Sequence, residues 1–179
     1  MVEAAYAALD VGRPLNRWIT IAWGLGGLYG YSGTRATGEF LKIYRDWMRS
    51  RGARICWVYS HETGDYLGIH VHLLLHVPRR LDGQFGNLPL RWVKRLLPNR
   101  YVAGVVNTQK LYGGEAGDAY FEAAYIRQLN YKLHYMLKAG SKRTEAALKL
   151  QNWGHKEWGQ DSRVEGKRCG CWQNWRRLI

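Results

Sequence analysis

Histidines crowd one short run, His70-Val71-His72 and then His76, and a carboxylate, Glu62, stands eight residues before the first of them. Imidazole nitrogens and carboxylate oxygens bind divalent cations, provided the backbone aims them at one point. In an extended strand alternate side chains share a face, so His70 and His72 point the same way. The intervening Ile69, Val71, Leu73, Leu75 and Val77 are all apolar and face a core, which leaves His70, His72, Leu74 and His76 on the other side. Residues 63–67 read as the turn of a hairpin centred on Tyr66, and that register sets Glu62 opposite His70 on the same face. A carboxylate and two imidazoles then form a triad for a divalent metal, with Mn²⁺ or Mg²⁺ the expected ion where phosphate is also a ligand and Zn²⁺ an alternative. The blander alternative is a set of solvated or locally hydrogen-bonded histidines.

A second chemical group lies on a helix expected over residues 118–139, which Asp118 can cap and Gly140 can end. Ile126, Leu129, Leu133, Met136 and Leu137 form its apolar stripe, while Tyr131, Tyr135 and Lys138 cluster on the roughly opposite face. A phenol with a pKa of about 10 is a usable nucleophile and a good leaving group in the reverse reaction. Tyr135 is the first choice, because Lys138 lies one turn along and favours the phenolate. Tyr131 lies one turn toward the N-terminus as a second candidate, or as a residue that only positions a ligand.

The chain of 179 residues carries 27 Lys and Arg against 14 Asp and Glu, a net +13 that asks for a polyanionic partner. The positive charge gathers in two later blocks: residues 79–112, with Arg79, Arg80, Arg91, Lys94 and Arg95, and residues 138–179. Both are expected to hold nucleic acid, with Trp153, Trp158, Trp172 and Trp175 available to stack on bases or to pack. Hydrophobic residues make up 46%, which excludes a disordered tail. The glycine-rich run 24–33 matches neither a P-loop nor a dinucleotide fingerprint. Three cysteines without a disulfide spacing, and no leader-like opening, predict a cytoplasmic setting. A zinc module on Cys169 and Cys171, with His155, falls short of four ligands. No stretch is suited to a membrane.

The elements that must position these residues are strands at 17–23, 53–61, 68–77 and 101–111, with helices at 37–51, 90–97 and 118–139. They predict an α+β fold, a central antiparallel sheet flanked by helices. Residues 1–140 are expected to form the main domain, and 141–179 a basic, Trp-rich extension packed on it.

Together, His70-Val71-His72, the upstream Glu62, the tyrosine segment 131–138 and the opening strand Trp18-Ile19-Thr20-Ile21-Ala22 resemble the HUH (His-hydrophobic-His) single-strand nucleases. The likeness is greatest to rolling-circle replication initiators of phages and small plasmids, and covers about residues 17–140. It implies a ferredoxin-like or RRM-like architecture and metal-dependent nicking and rejoining of single-stranded DNA through a 5′-phosphotyrosine. A prokaryotic host, an origin hairpin and a host helicase are implied as well, since no Walker motif follows. His134 stands before Tyr135, where phage relatives often carry Lys. Relaxases and single-strand transposases share this chemistry, and a transposase-like site would use Tyr125. A non-catalytic single-strand-binding module is the alternative of a different class.

Overall fold

The computed structural model describes residues 1–112, 119–137, 164–173 and 175. Strands β1 (Arg17–Ile21), β2 (Trp57–Gly64), β3 (Gly68–Leu75), β4 (Val106–Lys110) and β5 (Cys169–Cys171) form one antiparallel sheet in the order β4-β1-β3-β2-β5. Helices α1 (Val2–Asp10), α2 (Tyr31–Arg49), α3 (Asp82–Phe85), α4 (Leu88–Leu96) and α5 (Ala119–Leu137) flank it. The expected α+β class is therefore observed.

Strand alternation divides the core in two. On the odd-numbered face of β3, Ile69, Val71, Leu73 and Leu75 join Phe40, Tyr44 and Met48 of α2 and Trp92 and Val93 of α4. On the even-numbered face, Leu74 joins Trp18 of β1, Ala4, Ala5 and Ala8 of α1, and Tyr125, Leu129, Leu133 and Met136 of α5. Three layers result, with the sheet covered on both sides.

Helix α2 begins six residues before the expected position 37, inside the glycine-rich run. Gly33 explains the early start: a Cβ there would come within 2.6 Å of Ile69 Cγ2, so only glycine lets the first turn lie this close to β3. Strands β2 and β4 are shifted or shorter than expected, because residues 53–56 and 101–105 connect elements without pairing in the sheet. Helix α1 and strand β5 have no counterpart in the sequence reading. Through β5, chain beyond residue 140 enters the sheet itself, with Cys169 paired to Ser60 and Cys171 to Val58.

An ion pair with one buried partner ties the second layer to the sheet edge. Arg17, 5% exposed, pairs with Asp82 at the start of α3, and Asp82 also accepts a hydrogen bond from Lys110 of β4. Removing one partner of a buried pair strands the other charge. Because Asp82 is partly exposed and Arg17 keeps its bond to the Asn16 carbonyl, Asp82→Ala should cost about 1–3 kcal/mol in urea unfolding, and a loss below the error of the measurement would show that the pair is not holding α3.

His76 lies just past β3, buried, with Nδ1 donating to the Pro14 carbonyl at 2.8 Å. Burial holds its pKa below the ordinary value, and the Arg13 and Arg17 charges push the same way against the Pro14 bond. The unfolded chain therefore takes up this proton first, so the stabilisation is complete above about pH 6.5 and is lost as pH falls below it. Urea midpoints in a chelator should drop between pH 7 and 5, and drop less in His76→Asn; equal slopes for both proteins would count against His76 as a contributor.

Candidate metal centre

The β2–β3 pairing sets Glu62 against His70, Ser60 against His72 and Gly64 against Gly68, which is the hairpin register expected from the sequence. Gly68 adopts φ +59°, a left-handed conformation at the turn exit that glycine takes without strain. Glu62, His70 and His72 are each at most 3% exposed, and one ligand atom from each lies within 4.8 Å of the others. Among the described residues this is the one such group of three or more ligands.

Glu62 Oε2 lies 3.5 Å from His70 Nε2 and 3.7 Å from His72 Nε2. His70 Nδ1 is 2.9 Å from the Gly68 carbonyl, which can only accept, so Nδ1 carries a proton and Nε2 of the neutral ring keeps its lone pair. His72 Nδ1 is similarly engaged by Thr20 Oγ1 at 3.0 Å, which turns its Nε2 toward Glu62. Metal-binding histidines are commonly oriented by such a bond from the other ring nitrogen. A carboxylate and an imidazole lone pair repel unless a cation or proton lies between them. A cation with bonds of about 2.1 Å sets neighbouring ligands roughly 3.0–3.4 Å apart, close to the separations here. The buried triad can hold a divalent metal.

The neighbours of the triad come from β1, β4 and α5. Trp18 stacks on His72 with ring centroids 5.0 Å apart and planes at 12°. Tyr135 meets the same imidazole edge-on at 5.0 Å, and Trp18 at 5.9 Å. The sequence reading sets Tyr135 away from the apolar stripe of α5, but it lies on the border and packs partly against the sheet. Tyr131 is 51% exposed. A cleft of about 220 Å³ opens beside His72 between Thr20, Asn107, Tyr131, Lys132 and Tyr135. It shares Gln109, Tyr131 and Lys132 with a larger cleft of about 660 Å³ that Lys110 and Arg127 also line.

Lys138 lies outside the described residues, as do Asp118, Gly140, Trp153, His155 and Trp158. The ammonium that the structure does bring to the site is that of Lys132, 4.7 Å over the Trp18 ring and bonded to Gln109 Oε1 at 2.9 Å. Burial lowers its pKa. The sequence reading passes over Lys132, although its place between Tyr131 and Tyr135 was a usable signal. Tyr125, the transposase-like candidate, is fully buried, and its hydroxyl donates to the Leu15 carbonyl. Trp172 is also core, donating to the Ala4 carbonyl.

Arg79 and Arg80 lie on a 3-10 turn, and Arg91, Lys94 and Arg95 on α4, all exposed. These elements cover the odd face, opposite the metal centre. Arg80 donates to the Arg51 carbonyl and Lys94 lies over the Tyr101 ring. No described helix is long and apolar enough to cross a membrane. Compared with protein-family models, curated proteins and solved structures, the chain matches none of them.

Binding to the folded state alone stabilises it by about 2.7 kcal/mol at a hundredfold excess over Kd. Mn²⁺ should raise the stability of the wild-type chain on that scale and leave the double variant His70→Ala/His72→Ala unchanged. Full stabilisation of the double variant would place the ion elsewhere.

Proposed function

We propose that the protein is a metal-dependent single-strand DNA nuclease and strand transferase of the HUH type, with Tyr135 as nucleophile. The observation that carries this reading is the edge contact of Tyr135 with His72, one member of a buried Glu-His-His triad. The strand order β4-β1-β3-β2, with α2 between β1 and β2 and with α3 and α4 between β3 and β4, also follows the ferredoxin-like β-α-β-β-α-β succession. That succession supports the reading.

Glu62, His70 and His72 would hold the ion, Mn²⁺ or Mg²⁺, which when bound supplies Lewis-acid polarisation of a scissile phosphate. Tyr135 attacks phosphorus through its phenolate oxygen. A phosphotyrosine bond forms after the phenol's proton passes to solvent, the bond from phosphorus to the 3′ oxygen breaks, and the departing strand leaves as a 3′-OH after taking up a proton from solvent. Reversal by a 3′-OH rejoins the strand with no energy input, because the bond is exchanged rather than hydrolysed. Lys132, beside Trp18 and over the Tyr131 ring at 5.6 Å, supports negative charge in the cleft. Tyr131, exposed at the cleft wall, is placed to attack in a second exchange. In the resembled family such exchange initiates rolling-circle replication at an origin hairpin, with a host helicase as partner. The burial of Tyr125 weighs against a transposase-like choice of nucleophile.

Labelled single-stranded DNA incubated with Mn²⁺ should form a covalent adduct that survives denaturing electrophoresis. Tyr135→Phe, which removes one hydroxyl, should eliminate the adduct while leaving DNA binding within about twofold. Adduct retained by Tyr135→Phe and absent in Tyr131→Phe would reverse the order of the tyrosines, and no adduct with the wild-type chain on any single strand tested would overturn the nuclease reading.

A further inference from the structure

A concavity larger than the two clefts beside the metal centre lies elsewhere. A cleft of about 840 Å³ opens between α2 and the β2–β5 edge of the sheet, floored by the odd-face residues Trp57 and Tyr59 and bordered by Trp172 of the other face. Arg13, Lys42, Arg45, Arg49, Arg54 and Lys167 line it, and among the described residues no carboxylate does. Lys42, Arg45 and Arg49 follow the three- and four-residue spacing that puts side chains on one face of a helix. Lys42, Arg49, Arg54 and Lys167 are exposed, and Arg45 is half-buried beside Asp46, its ion-pair partner. Cations gathered around a concavity repel one another, a cost that the folded chain carries and that a bound polyanion relieves.

The floor adds a second signal. Trp57 and Tyr59 of β2 both line the cleft, with rings stacked 5.6 Å apart at 19°, and Trp57 is only half-buried. Aromatic platforms edged by cations suit unpaired bases joined by a phosphate backbone, because every base offers a π-face. A duplex keeps its bases inside and has nothing to place on such a floor.

Parity separates this cleft from the metal centre. Trp57 and Tyr59 pair with Leu75 and Leu73 on the odd face, whereas Glu62, His70 and His72 lie on the even face. We propose that the α2–β2 cleft is a second binding site, for a non-reacting segment of single-stranded nucleic acid. It shares with the nuclease reading only the nucleic-acid partner and needs none of the cleavage chemistry.

The test is fluorescence anisotropy of the full chain with a labelled mixed-sequence 20-nucleotide single strand in EDTA, across a salt series, so that cleavage does not enter. The variant Lys42→Ala/Arg45→Ala/Arg49→Ala changes residues on the solvent side of α2, and its thermal melt confirms folding. It should bind at least tenfold more weakly, with the slope of log K against log salt smaller by about 2, at roughly 0.7 for each phosphate left without its cation. Trp57→Leu should weaken single-strand binding several-fold without altering the slope. Affinity and slope unchanged in the triple variant would overturn the site. So would a duplex that binds as tightly and as sensitively to the triple variant as the single strand. Polyglutamate displacing the strand at equal charge, with no effect of Trp57→Leu, would instead assign the cleft to an acidic protein. A wild-type chain that forms the adduct while the triple variant binds unchanged fails this site alone, and a wild-type chain that forms no adduct while the triple variant binds weakly fails the nuclease reading alone.

Discussion

Glu62 reaches His70 only because β2 and β3 pair in one register, and the histidines meet each other only because the period of a strand is two. A slip by one residue would turn Glu62 to the odd face and leave two imidazoles without their carboxylate. The core prevents the slip. Val71, Leu73 and Leu75 are fully buried on the odd face, so a shift would drive polar β2 neighbours into that layer. The turn fixes the same register from its end, with Gly64 paired to Gly68 and Gly68 in a conformation that other residues adopt at a cost. Packing thus specifies chemistry: the hydrophobic half of β3 decides where its histidines point.

The even face is divided along its length. At one end Leu74 and Val58 pack under α1 and α5 as ordinary core, and at the other Glu62, His70 and His72 converge. Trp18 is the boundary, since it belongs to that core and also stacks on His72. The same helix that closes the core with Leu129, Leu133 and Met136 therefore delivers Tyr135 to the triad and Lys132 to the adjoining cleft. The dry wall on one side strengthens electrostatic interactions at the triad, while the cleft on the other leaves that side open.

Much of the triad was legible because strand parity and hairpin register are arithmetic once the turn is located. The apolar stripe of α5 was legible for a related reason, a clear helical period. Other features left weaker marks. Helix α1 buries Ala4, Ala5, Ala7 and Ala8, whose small side chains carry little periodic signal. Strand β5 is three residues long and exists only because β2 offers it an edge, a tertiary fact that local propensity does not contain. The cationic row of α2 is hidden in a segment of nearly balanced charge, since counting charges along a chain does not show that none of that segment's acidic residues lines the cleft. The basic residues of α4 stand out in such a count but lie across the sheet from the triad.

The central claim is that Glu62, His70 and His72 converge on one divalent cation. Crystals of the full chain soaked in Mn²⁺ and measured above the manganese absorption edge give a direct answer. An anomalous difference peak is expected within bonding distance, about 2.0–2.3 Å, of Glu62 Oε2, His70 Nε2 and His72 Nε2 together. Well-ordered side chains at these three positions with no peak among them, or with the ion bound at another cluster, would contradict the claim.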